Sequence, residues 1–515
     1  MHALANKNIL VIGLGASGRA ACELLRQRGA QVTAIDAART DVLTGVADQL
    51  TALGVKVQLA ASGLPADMFD LAVISPGVPL DSPFVRELAN RRVPLIGELE
   101  LGYQQSLCLN VAITGTNGKT TTTELVERML TQAHRQTIAA GNIGLPVCAI
   151  AERTKALDIL TLEVSSFQLE TIEFFRPAVA VLMNLTPDHL DRYATMTDYI
   201  RAKARIFMNQ QPFDWAIIQS EALAQLRTLE ISIPSKIVTF SAVNRRADIY
   251  LDRGLLISRL PDWSGPLLDM ETCQLRGPHN AENLMAALAV GRVLRVPLEE
   301  MVAALQAYSP APHRCERVAE VNGVAYVNDS KATNLDAVQK AIQAMPVAKS
   351  GEPNVWLIAG GKDKGFAFHD IGPLLSQRVK GAFLIGETRE KMRAAWSLFT
   401  PCSPVGSLLE AVSEAARKAV SGDIVLLSPA CSSFDMFQNY QDRGEVFRRA
   451  VACVAKNPNH PGGDRGNKAM ADSRINDDDV NLANLRRCFR EEKLAPKLTK
   501  TKTQLTDAQN VPTNS

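Results

Sequence analysis

Lys119 and Thr120 close a short glycine-rich run, Gly115-Thr116-Asn117-Gly118-Lys119-Thr120-Thr121, whose residue types and spacing suit a chain of phosphates. The apolar run 109–113 ahead of it has the length and β-branching of a buried strand. Behind it, Leu125, Val126, Met129 and Leu130 recur at helical spacing. Strand, glycine turn, Lys-Thr and helix together aim backbone N–H groups and a helix N-terminus at an anion. Lys119 adds a positive charge and the Thr120 hydroxyl a ligand for Mg²⁺. The common pattern G-x-x-x-x-G-K-[ST] requires glycine at 113, where this chain has Ile113, so the loop is a shortened relative that starts at Gly115. ATP with Mg²⁺ is the expected ligand.

Further reactive residues follow in chain order. Glu163 stands among apolar residues in the run 160–168 and precedes Ser165 and Ser166. Beside a phosphate loop, a carboxylate there suits Mg²⁺, which takes oxygen ligands. His189 lies just past the apolar run 178–184, at a strand end of the kind where open α/β sheets bind ligands. The stretch 199–207 reads as a helix with Tyr199, Lys203 and Phe207 on one face. Asn280 and Asn283 precede or open an expected helix over 284–294, and the polar clusters 328–334, 360–365 and 428–435 each follow an apolar run.

At 515 residues, the chain needs more than one core to position these groups. Residues 6–105 form a first unit, with a strand at 8–12, a helix at 20–28 and a strand at 32–35 ending in Asp36. Gly13, Gly15 and Gly18 match G-x-G-x-x-G, a fingerprint that serves NAD or any other pyrophosphate, so an NAD-dependent oxidoreductase and a sugar-nucleotide binder both fit. A strand from 71 ends at Ser75-Pro76-Gly77. Residues 106–311 make a central P-loop ATPase-like sheet. In 312–456, strand signals at 324–327, 355–358, 382–385 and 424–427 alternate with helical ones at 335–345 and 408–420. The class is therefore α/β in three domains, with a Rossmann-like first unit and a doubly wound, Rossmann-like third. From 457 a breaker run leads into a charged segment poor in aromatics, read as a disordered extension over 457–515.

A net charge of +2 gives no reason to expect nucleic acid, and no run is long and apolar enough to span a membrane. Nine cysteines without a C-x-x-C pair argue for a reducing compartment and against a structural zinc. A cytoplasmic monomer is expected.

The strings T-G-T-N-G-K-T-T-T, G-N-I-G, E-V-S-S-F-Q-L-E, D-H-L-D-R, G-P-H-N-A-E-N and H-R-C-E occur here in one order, which resembles the Mur ligases, three-domain ATP-dependent amide ligases of peptidoglycan synthesis. The resemblance covers about residues 6 to 455. Within that family, G-L-G-A-S-G, N-D-S-K-A-T-N and S-P-A-C-S-S-F-D resemble the member that adds D-glutamate to UDP-N-acetylmuramoyl-L-alanine. The His-containing loop of the L-alanine-adding relative is absent, Asn117 standing there, and so is the D-N-P-R motif of the diaminopimelate-adding one. A Mur-type ligase for another amino acid, such as L-glutamate, is the alternative. Ser432 stands where the family often has alanine.

The resemblance implies roles for single residues. Gly115, Thr116, Asn117, Gly118, Lys119, Thr120 and Thr121 would hold the ATP phosphates, and Asn280, Asn283, Arg314 and Asp329 the nucleotide, with Lys331 at the phosphoryl region. Thr120 and Glu163 would ligate one Mg²⁺, and His189 with a carbamylated Lys203 a second. Lys119, His189, Lys203 and Lys331 would be the catalytic set. Thr333, Lys364, Ser433 and Tyr440 would bind D-glutamate. Ala16, Ser17, Asp36, Arg39, Gly77 and Asn142 would bind the UDP-muramoyl substrate.

Overall fold

The structure, a computed structural model, describes residues 4–189, 192–309, 312–348 and 350–456; the expected extension over 457–515 lies outside them. Three sheets follow one another along the chain. The first has β1 (Asn8–Ile12), β2 (Gln31–Asp36), β3 (Lys56–Leu59), β4 (Leu71–Ile74) and β5 (Leu95–Gly97), all parallel in the order β3-β2-β1-β4-β5. Strand order reverses between β1 and β4, and a crevice for a ligand opens at such a point, beyond the strands' carboxyl ends. Gly13 and Ser75 flank it, and the Ser75 hydroxyl donates to the Gly13 carbonyl at 2.8 Å.

The central sheet contains β6 (Leu109–Thr114), β7 (Thr137–Gly141), β8 (Ile159–Glu163), β9 (Val179–Leu182), β10 (Trp215–Gln219), β11 (Lys236–Ser241), β12 (Ile249–Asp252), β13 (Leu255–Ser258) and β14 (Gly265–Asp269). Its order is β14-β13-β12-β11-β10-β9-β6-β8-β7, with β6 in the interior. Val111 and Ile113 enter one core and Ala112 the opposite one, as the two-residue period of a doubly covered strand requires. The helix Pro278–Val293 lies in the first of these cores, and every residue from Ala281 to Gly291 is buried. The antiparallel ribbon β12–β14 extends this sheet at one edge.

The third sheet runs β15-β16-β20-β17-β18-β19, from β15 (Glu316–Val321), β16 (Val324–Asn328), β17 (Val355–Gly360), β18 (Val379–Ile385), β19 (Cys402–Pro404) and β20 (Ile424–Leu427). Only β15 is antiparallel to its neighbour. Again the order reverses, here around β20, so the loops after β16, β17 and β20 meet at one edge.

The first and central sheets are fastened by the helix Glu98–Gln104. The Glu100 carboxylate, fully buried, accepts the N–H groups of Glu173, Phe174 and Phe175 at 2.9, 3.0 and 2.9 Å. One oxygen of Glu98 accepts the Cys148 N–H at 2.7 Å, and the other is buried without a hydrogen bond.

Candidate functional site

The glycine loop leaves β6 and enters the helix Lys119–Gln132. Gly118 caps that helix at φ +85°, a left-handed conformation, and a Cβ there would run into the Asn283 side chain. Both facts require glycine. The Lys119 ammonium folds back onto the carbonyls of Gly115 and Thr116, at 2.9 and 2.7 Å. The Thr120 hydroxyl donates to Glu163 Oε2 at 2.6 Å, and Asn142 Nδ2 donates to Glu163 Oε1 at 2.7 Å. Thr120 and Glu163 thus present two hard oxygens beside the loop, which fits Mg²⁺. Among the described residues no three His, Cys, Asp or Glu side chains form a cage, so phosphate oxygens and water would complete the cation's shell.

Lys203 reaches the same loop from the helix Met196–Ala204. Its side chain is buried, its Nζ donates to the Gly115 carbonyl at 2.8 Å and lies 4.6 Å from the centroid of the Tyr199 ring. Burial, with the Lys119 charge nearby, holds its pKa well below the usual lysine range. The expected helix over 199–207 stops at Ala204. Phe207 belongs to a 3₁₀ turn, Arg205–Phe207, and packs in a different cluster from Tyr199. Of the three residues expected on one face, Tyr199 and Lys203 share it and Phe207 does not.

His189 adopts φ 56°, unusual for a side chain with a Cβ. Its ring meets those of Phe167 and Tyr199 at 4.8 and 6.4 Å, and Nε2 lies 3.7 Å from Asp188 Oδ2. Burial lowers its pKa to about 4, against the pull of Asp188. His189 and Lys203 both lie against Tyr199, while their polar atoms face Asp188 and Gly115 respectively.

Between the central and third units opens a cavity of about 1160 Å³, lined among others by Asn280, Asn283, Arg314, Asp329 and Lys331. The helix expected over 284–294 begins at Pro278, because proline is tolerated in a first turn. That places Asn280 and Asn283 within its first turns, joined by an amide hydrogen bond of 3.0 Å. Arg314 Nη1 reaches Thr121 Oγ1 at 3.4 Å. Burial raises Asp329 to about 7, although Ser428 and the Cys315 N–H donate to it at 2.9 and 3.1 Å. Lys331 stands over the Tyr440 ring at 4.4 Å and donates to its hydroxyl at 3.2 Å; burial lowers its pKa to about 8.

Two residues of the third unit touch the central loop after β9. Lys364 Nζ lies 3.8 Å from Asp188 Oδ1, and Asn334 donates to Asp188 Oδ2 at 3.1 Å. Thr333 is half-buried beside Asn334; Ser433 is buried, its carbonyl accepting the N–H groups of Met436 and Phe437 at 3.2 and 2.8 Å. In the first unit, Ala16 and Ser17 open the helix Ala16–Gln27, which starts before the expected position 20. Both Asp36 oxygens are engaged, Oδ2 by Leu14 N of the glycine turn after β1 at 2.8 Å and Oδ1 by Ala38 N of its own loop at 2.9 Å. Gly77 lies exposed on the loop after β4, and Arg39 is exposed, with no hydrogen bond or ion pair among the described residues. The structure thus brings Lys119 and Lys203 to Gly115, and Lys364 and Asn334 to Asp188; Ser433 has local backbone partners, and Ala16, Ser17 and Asp36 belong to the first unit's own loops.

Three family models match in succession: "Mur ligase MurD-like, N-terminal domain" over 7–97, "Mur ligase middle domain" over 113–291 and "Mur ligase, glutamate ligase domain" over 313–431. The UDP-N-acetylmuramoylalanine--D-glutamate ligase of Acidobacterium capsulatum is 42% identical over 453 residues, covering 87% of this chain and 96% of that protein. This chain belongs to the Mur ligase family. The ligase of the same name from Pelotomaculum thermopropionicum is 40% identical, across 87% of this chain and 98% of its own. A MurF ligase of Thermotoga maritima, solved in complex with ADP, shares the fold at a TM-score of 0.56 and 17% identity, covering 88% of this chain and 99% of that one.

Within this Mur ligase, sequence reasoning passed over Asp188, Asn334 and Asp336. Asp336 accepts from the phosphate-loop residue Asn117 and pairs with Lys340 at 2.9 Å. Asp188 and Asn334 are 146 residues apart, so their contact leaves no local pattern. The one available signal is the position of Asp188 on the loop that follows the central strand β9.

Proposed function

We propose that this chain is an ATP-dependent ligase that joins D-glutamate to UDP-N-acetylmuramoyl-L-alanine in the cytoplasm. The observation that carries the reading is Asp188, which lies beside His189 and is held by Lys364 and Asn334 of the third unit, next to the phosphate loop. An amino-acid unit is thereby set against a phosphoryl-transfer unit. Amide formation from a carboxylate is uphill, so the alanine carboxylate is first phosphorylated by ATP; the D-glutamate amine then displaces phosphate from the acyl phosphate. Lys119 and the loop amides orient the ATP phosphates, and Lys331 neutralises charge on the transferred group. Lys364, Thr333, Ser433 and Tyr440 hold D-glutamate, while Ala16, Ser17, Asp36, Arg39, Gly77 and Asn142 hold the sugar nucleotide. Thr120 and Glu163 would hold Mg²⁺, which when bound would neutralise charge at the phosphates. A second ion at His189 and a carbamylated Lys203, a monomeric state, and units bounded at 6–105, 106–311 and 312–456 belong to the same reading.

The test is phosphate release from ATP with UDP-N-acetylmuramoyl-L-alanine and D-glutamate, each omitted in turn. Release should require all three. Equal turnover with L-glutamate would move the chain to the alternative ligase, and NAD-dependent chemistry in place of phosphate release would discard the reading.

A further inference from the structure

Arg192 sits where the first and central units meet, and its guanidinium makes three contacts at once. Nη1 donates to the Pro76 carbonyl at 2.9 Å, Nη2 donates to Glu170 Oε2 at 3.0 Å, and the guanidinium carbon lies 3.9 Å from the centroid of the Phe167 ring. Neither partner of the ion pair is open to solvent, with side-chain exposures of 18% for Arg192 and 14% for Glu170. Pro76 belongs to the loop after β4, which borders the crevice of the first sheet. Phe167 in turn meets the His189 ring edge-on at 4.8 Å and stacks with Tyr193 at 5.9 Å. An unbroken line of contacts therefore runs from the sugar-nucleotide loop through Arg192 and Phe167 to His189.

We propose that Arg192 is a positioning residue that couples the seating of the UDP-sugar on the 75–77 loop to the placement of the His189 ring. This rests on the functional reading above. A ligand in the first crevice fixes the loop and with it the Pro76 carbonyl. The guanidinium, bound to that carbonyl and to Glu170, then presents its face to Phe167, and Phe167 limits the positions open to His189. Arginine alone has the geometry for this task. Its N–H groups donate in the guanidinium plane while the face of that plane stacks on a ring. A lysine ammonium can meet Glu170 or Pro76 but offers no face to Phe167. The acceptor on the first unit is a backbone carbonyl, so the position of the loop is what is sensed.

The test uses the full chain and the variants Arg192→Lys, Arg192→Ala and Glu170→Gln. Arg192→Lys and Arg192→Ala should raise KM for UDP-N-acetylmuramoyl-L-alanine about tenfold and lower kcat, leaving KM for ATP and D-glutamate within about twofold. Calorimetric binding of the UDP-sugar without ATP should weaken to the same extent, and Glu170→Gln should fall between these and the wild type. Full rescue by lysine would show that only the charge matters and overturn the proposal. An equal loss toward all three substrates would show a general structural role and do the same. A wild-type chain that neither binds nor turns over the UDP-sugar defeats the functional reading, and this proposal with it. An active wild type with unchanged variants defeats the Arg192 proposal alone.

Discussion

Lys119 and Lys203 donate to one oxygen, the Gly115 carbonyl, at 2.9 and 2.8 Å. Two ammonium groups sharing a buried acceptor repel each other, and burial lowers the pKa of both. A neutral amine at 203 is the form that reacts with CO₂, and the carbamate would replace a repelled cation by an oxygen ligand. Lys203→Ala should lose most activity, with partial rescue by a short carboxylic acid in solution. Lys203→Arg should stay inactive, since it keeps the charge and cannot be carbamylated. Near-normal turnover of the arginine variant would remove the carbamate from the mechanism.

Thr120 and Glu163 form a second pair, 2.6 Å apart. If they hold Mg²⁺, Glu163→Ala should cut kcat by about a hundredfold or more, and Thr120→Val should raise the Mg²⁺ concentration needed for half-maximal rate about tenfold. A Mg²⁺ titration of phosphate release decides this, and an unchanged midpoint in both variants would place the cation elsewhere.

Glu98 gives a prediction about stability. Burial raises its carboxyl from the usual 4.5 to about 7, opposed by the Cys148 N–H. The folded chain therefore holds this proton more tightly than the unfolded one. The associated stability is complete below about pH 4.5, is lost as pH rises toward 7, and changes no further above that. Thermal melts should show Tm falling across that window in the wild type and a flatter profile in Glu98→Gln. Parallel profiles would assign the slope to other groups.

Asp336 links the third unit to the phosphate loop through Asn117. Asp336→Ala should leave Tm nearly unchanged, since the links it removes, to Asn117 and to Lys340 one turn on, are half-exposed polar ones, yet lower kcat about fivefold and raise the radius of gyration in solution scattering. A compact variant with reduced kcat would show that Asp336 acts on the loop locally and not by holding the units together.

The phosphate loop was legible because its chemistry is contiguous: strand, Gly115, Gly118, Lys119 and helix lie within a short stretch of chain. The buried parallel strands were legible for a similar reason, as apolar runs such as β20 bounded by turns. Short half-exposed strands such as β3, and the ribbon β12–β14, present mixed faces that resemble loops. The helices at Pro278 and Ala16 start ahead of the expected positions because their first turns carry polar or small residues outside the apolar pattern. Asp188, Arg192 and Glu170 gain their importance only from partners distant in sequence, and no periodicity encodes such a meeting.

The Glu100 carboxylate, closing three consecutive N–H groups at 173–175, bears on how this protein can be recombined. A cut after the first sheet that separates 98–104 from 173–175 would strand a buried acidic side chain on one side and three unpaired donors on the other. The first unit is thus no free-standing cassette. A chimera that borrows this unit from a relative would have to carry the helix and its receiving turn together, as a single graft.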